Sequence, residues 1–149
     1  MKSVIIYESK HHGNTKKVCD RIAADHKVEL VEASNVTDTF NWSEYDLIGF
    51  ASGITFKKFY PSVNEAAHLI PAGKKVFFIY TCADNSQDFS ANIQSIVKGK
   101  GSACVGVYGC KGFNTFGPLK FIGGMNKSNP NEDELRAASE FFEKMKTAI

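Results

Sequence analysis

Short apolar runs alternate along this chain with stretches in which apolar residues recur every three or four positions. Val4, Ile5, Ile6 and Tyr7 predict a strand over Ser3 to Glu8, and Val18, Cys19, Ile22 and Ala23 predict a helix over Asn14 to Asp25. Val28 and Leu30 alternate with polar residues from Lys27 to Glu32, as in a strand near a sheet edge. Asn35 to Tyr45 is poorly patterned, a short helix at most, with Phe40 and Trp42 as packing anchors. The nearly continuous apolar runs at Asp46 to Ser52, Lys74 to Thr81 and Ser102 to Gly109 suit strands covered on both faces. Helical spacing recurs at Val63, Ala66, Ala67 and Ile70, with Pro61 tolerated in the first turn and Pro71 and Gly73 beyond the end. It recurs again at Phe89, Ile93, Ile96 and Val97, and at Leu135, Ala138, Phe141, Phe142 and Met145, where Asn131 suits an N-cap ahead of Glu132, Asp133 and Glu134.

Five strands alternating with helices predict an α/β fold, a doubly wound parallel sheet between two helical layers, because parallel neighbours need crossover connections. Ligands of such sheets bind at the carboxyl ends of the strands. That rule nominates the loops at Ser9 to Thr15, Gly53 to Tyr60, Cys82 to Asn85 and from Cys110 onward.

The first of these loops carries the sharpest chemistry. Ser9, Lys10, His11, His12, Gly13, Asn14 and Thr15 join a strand to a helix N-terminus, where unpaired amides and the positive end of the helix dipole favour an anion. Gly13 permits close backbone approach, and the Ser9 and Thr15 hydroxyls with the Asn14 amide offer side-chain donors, so the loop suits the terminal phosphate of a nucleotide-like cofactor. The same residue types also serve as ordinary caps and turns.

The chain resembles the flavodoxins over essentially its whole length. The likeness rests on the five-strand alternation, the Ser9 to Gly13-Asn14-Thr15 loop after the first strand, the aromatic Gly53-containing loop after the third, and the polar loop after the fourth. It implies strand order 2-1-3-4-5, a three-layer αβα arrangement, and flavin mononucleotide (FMN) as cofactor. Ser9, Asn14 and Thr15, with backbone from Lys10 through His11 to Gly13, would hold the phosphate. Ser52, Gly53, Ile54, Thr55 and Phe56, with Thr81, Cys82, Ala83, Asp84 and Asn85, would lie along the isoalloxazine. Gly53 would be the backbone hinge beside flavin N5, and Phe56 and Tyr60 candidate stacking rings. The loop departs from the common Ser-x-x-Gly-Asn-Thr by one residue, since three separate Ser9 from Gly13. Two functions follow, an FMN-binding electron carrier or a small flavin oxidoreductase. The alternative is a flavodoxin-like binding module that does not retain a flavin. Expected electron partners are a redox protein or a nicotinamide nucleotide.

Composition and the placement of single residue types add further constraints. With 149 residues, 43% hydrophobic and 23% charged, one domain over 1–149 is expected, with no membrane span. The absence of a signal-like N-terminus suggests a cytoplasmic location. Cys19, Cys82, Cys104 and Cys110 lack metal or Cys-x-x-Cys spacing and suggest buried free thiols, while the four histidines form no metal-binding pattern. A net charge of +2 makes no case for nucleic acid and departs from the acidity usual among electron-carrier flavodoxins. Lys10, Lys57, Lys58, Lys111, Lys120 and Lys127 all fall in loops predicted at the carboxyl edge, a basic rim suited to an acidic partner or a phosphate-bearing reductant. The segment from Cys110 to Pro130 is long and apolar, containing Phe113, Phe116, Leu119, Phe121, Ile122 and Met125. It is expected either to wall the site or to cover the edge of the fifth strand.

Overall fold

The computed structural model describes residues 1–115 and 117–149. Its sheet is built where the apolar runs lie: β1 (Ser3–Glu8), β2 (Glu29–Glu32), β3 (Leu47–Thr55), a two-residue β4 (Lys58–Phe59), β5 (Lys75–Cys82) and β6 (Ala103–Lys111). The parallel order is β2-β1-β3-β5-β6, which is the expected 2-1-3-4-5 once β4, an antiparallel appendage of β3, is set aside. The helices are α1 (Asn14–His26), α2 (Pro61–His68), α3 (Ala91–Gly99) and α4 (Glu132–Thr147). None of these described helices is long and apolar enough to cross a membrane.

Alternation along each strand distributes side chains to two cores. Ile5, Leu47, Ala51, Phe77 and Ile79 face α1 and α4, where Val18, Ile22, Ala138 and Phe142 are buried against them. Val4, Ile6, Ile48, Phe50, Val76 and Phe78 face α2 and α3. Full burial of each such side chain contributes about 2 kcal/mol before chain entropy is counted. Consequently both helical layers are fixed relative to the strand ends.

The stretch after β2 forms no α-helix. It makes two single 3₁₀ turns, at Ala33–Asn35 and Trp42–Glu44, and is held by aromatic packing. Phe40 meets the Trp42 ring edge-on at 4.8 Å and stacks with Tyr45 at 5.8 Å. The thiols of Cys19, Cys82 and Cys110 are buried, but Cys104 is exposed. That corrects the expectation of burial, and the reason is positional: β6 is an edge strand, and at its start the chain faces water.

α4 starts with a full capping box. Asn131 Oδ1 accepts from Glu134 N at 2.9 Å and the Glu134 carboxylate accepts from Asn131 N at 3.2 Å. Glu134 also accepts from Lys111 N at 3.0 Å and from the Asn129 side-chain amide. Through these bonds the helix holds both ends of the segment that follows β6.

Candidate functional site

β1 delivers the chain through Ser9 to Gly13 into α1. Gly13 is the N-cap in the left-handed region, φ 64°, and His12 before it is also left-handed at φ 54°. Having no side chain, Gly13 leaves capping to Ser9, whose Oγ accepts from Lys16 N at 3.2 Å. Asn14 N donates to His11 O at 3.3 Å, while the Gly13 and Thr15 amides have no acceptor among the described residues. The Thr15 hydroxyl meets that of Thr81 at 2.8 Å in a buried pair, pinning the first turn of α1 to the end of β5.

Asn14 is committed elsewhere than the loop suggests. Its Nδ2 donates to Phe113 O at 2.8 Å, and its Oδ1 accepts from Phe113 N at 3.1 Å, so the side-chain amide pairs with one residue's backbone as a neighbouring strand would. Gly112 is required beside it, because a Cβ there would come within 2.5 Å of Asn14 Nδ2. His12 adds to the same contact: its ring lies 4.0 Å from that of Phe113, and its Nε2 is 2.9 Å from Thr115 Oγ1.

β3 continues past the sheet into a hairpin with β4, pairing Ile54 with Phe59 and Thr55 with Lys58. Its two turn residues, Phe56 at φ 49° and Lys57 at φ 61°, both occupy the left-handed region, a conformation that favours Asn or Gly and costs other residues roughly 1–2 kcal/mol each. Gly53 lies within β3 opposite Thr81, and its carbonyl accepts from Ser52 Oγ at 2.5 Å. Ser52 Oγ in turn accepts from Tyr60 N at 2.8 Å. The Tyr60 ring packs on Gly53, where a Cβ would stand 2.5 Å from its hydroxyl. Lys10 Nζ lies 5.0 Å from the centroid of that ring and 3.2 Å from Glu8. Burial and the Glu8 charge raise the Tyr60 phenol above its ordinary range.

The loops enclose a cleft of about 320 Å³ at the carboxyl ends of β1, β3 and β5. Of the residues expected there, Ser9, Lys10, His11, Asn14, Thr15, Gly53, Ile54, Thr55, Phe56, Thr81, Cys82 and Ala83 line it. Gly13, Ser52, Asp84 and Asn85 do not. Ser52 is spent on the hairpin. Asp84 accepts from Ser86 N and Oγ at 3.0 and 3.1 Å, and Asn85 donates to Gly109 O at 2.9 Å, so both stabilise their own turn and its contact with β6. Tyr60, Gly112, Phe113 and Asn114 complete the lining. The last three come from the segment after β6, so part of that segment forms a wall. Asn114 pairs with Met125 across an antiparallel bridge, and Asn126 Nδ2 donates to Ala83 O at 2.8 Å, tying the wall to β5. Phe116 of this segment lies outside the described residues. Nothing in sequence singled out Asn114, a polar residue in an irregular stretch.

Among the described residues the lining contains no carboxylate, and the Lys10 ammonium, paired with Glu8 outside it, is its fixed cation. Burial pushes the Cys82 thiol up from its usual range to about 11, so it stays protonated at neutral pH and is no nucleophile there. The other histidines are dispersed, with His26 at the contact of α1 with α4 and His68 exposed at the end of α2.

Comparison with known proteins agrees with this architecture. The flavodoxin domain family model matches residues 4–95. An uncharacterized protein of Methanocaldococcus jannaschii, MJ0298, is 36% identical over 144 residues, covering 95% of each chain. Oxidised flavodoxin 1 from Bacillus cereus superposes with a TM-score of 0.71 at 17% identity, covering 100% of this chain and 99% of that one. A flavoprotein of Lactobacillus acidophilus NCFM, solved in complex with FMN, gives a TM-score of 0.58 at 17% identity, covering 72% of this chain and 92% of its own. With strand order, loop placement and family match in agreement, the chain belongs to the flavodoxin family.

Proposed function

We propose that the cleft binds FMN and that the protein is an electron carrier or a small flavin oxidoreductase. The observation that carries this reading is the convergence at one cleft of an anion-ready helix N-terminus with a carboxylate-free lining of backbone, hydroxyl and aromatic groups. Its volume falls within the roughly 300–1,000 Å³ usual for small-molecule sites. The free amide of Thr15, with the Ser9 hydroxyl, would hold the phosphate, and Lys10 would offset its charge. Thr55, Phe56, Tyr60, the Cys82 to Ala83 backbone and Phe113 would contact the ring system. Bound FMN would supply the redox chemistry, taking electrons from a redox protein or nicotinamide nucleotide and passing them on. The chain's own part is to anchor, orient and exclude water, which the Asn14 pairing with Phe113 supports by fixing one wall.

One observation favours the alternative of a module that retains no flavin: the Asn14 amide, a donor expected to face the phosphate, is already paired with backbone. Absorption spectra of the purified protein before and after addition of FMN decide between them. Bands of bound oxidised flavin are expected, and no uptake overturns the proposal. With flavin bound, turnover of NADPH with a quinone identifies an enzyme, and its absence a carrier.

A further inference from the structure

Exposed apolar side chains are unevenly placed on this molecule. Phe56 is 94% exposed, Phe121 81% and Ile122 77%, and Met125 is exposed as well. Phe56 lines the cleft, Met125 pairs with the lining residue Asn114, and Ile122 and Phe121 lie three and four residues before Met125 in the same stretch. Phe56 stands at the tip of the β3–β4 turn, and the others belong to the stretch held beside the cleft by the Asn114–Met125 bridge and by the Asn126 bond to Ala83. Large apolar groups gathered around one opening and rimmed by charge mark a contact surface for another macromolecule.

The charge of that rim is positive. Lys57 and Lys58 follow Phe56, Lys120 Nζ lies 5.1 Å from the Phe121 ring centroid, and Lys127 is two residues beyond Met125. None of these four lysines has an ion-pair partner among the described residues. Asp84 and Asp88, which accept from Ser86 and Ser90, keep their negative charge and offset part of the rim, leaving the lysines in excess.

We propose that this rim docks an acidic redox protein, with the apolar tips buried at the contact and the lysines steering its approach. Phe121, Ile122, Lys120 and Lys127 stand outside the cleft lining, so a nucleotide seated in the cleft leaves them in water, whereas a protein surface covers them. The redox role of the partner rests on the flavin reading; the docking surface does not.

The test is a nuclear magnetic resonance titration of isotope-labelled protein with an acidic plant-type ferredoxin, with basic cytochrome c and NADPH as controls. Amide shifts are expected at Phe56 to Lys58 and Leu119 to Lys127, with affinity falling about ten-fold or more as salt rises from about 20 to about 200 mM. The pair Lys57→Glu with Lys58→Glu, and separately Phe121→Ser with Ile122→Ser, should each weaken binding roughly ten-fold while the spectrum of the remaining protein stays folded. Absence of ferredoxin shifts, shifts confined to other surfaces, tighter binding to cytochrome c, or the same shifts produced by NADPH instead would overturn the proposal. Flavin absorbance read on the same samples keeps the two ideas apart. Ferredoxin shifts without flavin uptake sustain the docking surface alone, and flavin uptake without those shifts removes it.

Discussion

Asn14 is the residue on which the cleft's geometry turns. Two hydrogen bonds join it to Phe113, 99 positions away, and its side chain is almost entirely buried. Asn14→Ala strands the Phe113 carbonyl at the edge of the cleft, which should cost about 1–3 kcal/mol in urea denaturation and weaken flavin uptake in parallel. Asn14→Asp keeps the acceptor for Phe113 N but sets a carboxylate oxygen against the Phe113 carbonyl in a nearly buried position, so at neutral pH it should be at least as destabilising as alanine; equal stability of all three would show that the pairing contributes nothing. A polar residue opening a helix is readable from sequence as a cap or an anion ligand. Its partner is not, because nothing in the local pattern around Gly13 indicates that a segment following the last strand will reach it. The same reason explains Ser52, which the family resemblance sets along the ring of the cofactor. It is turned inward by Tyr60, through a hairpin whose Phe-Lys turn carries none of the Asn-Gly signal that would have announced it.

At the scale of elements, the parallel strands were legible because each is a buried apolar run, and α1, α2, α3 and α4 because their apolar spacing is regular. β4 was not, since two residues have no period. The stretch between β2 and β3 was ambiguous for the opposite reason: Phe40, Trp42 and Tyr45 pack by ring contact and need no helix to do so. The pairing of α1 with α4 offers a test of how the layers are held. Ser139 Oγ donates to Asp25 Oδ2 at 2.7 Å, and His26 Nε2 lies 2.9 Å from the same hydroxyl. The Ser139 hydroxyl first, and the Arg21 guanidinium second, hold the Asp25 carboxyl below its ordinary range. A carboxyl lowered in the folded state contributes stability above its unfolded value, and that contribution is lost as pH falls through the folded one. Ser139→Ala should therefore move the acid limb of a thermal stability profile to higher pH and lower the melting temperature by a few degrees at neutral pH. An unchanged limb, with Asp25 titrating as before, would assign the lowering to Arg21 alone.

For the molecule as a whole, charge is the property that departs from the acidic electron carriers it resembles in fold. Lys10, in a lining where no carboxylate is found among the described residues, together with a net charge of +2, favours added negative charge at the cleft. If FMN binds as proposed, its fully reduced couple should lie at a less negative potential than in acidic flavodoxins, since each electron added is better compensated. Potentiometric titration with an equally low or lower couple would reject this. Charge of this kind is visible in composition, but its placement required the fold: Lys10 lines the cleft, and Lys57 and Lys58 stand at the β3–β4 turn whose Phe56 lines it too.

The arrangement of Glu134 has its own consequence for how the protein matures. One carboxylate closes the start of α4, receives Lys111 N and holds Asn129, so the cleft's outer wall is fastened by the element that leaves the ribosome after every strand is already made. The sheet can assemble first, but the wall is complete only once α4 docks, and if FMN binds as proposed, a nascent chain lacking α4 would offer it the phosphate end alone.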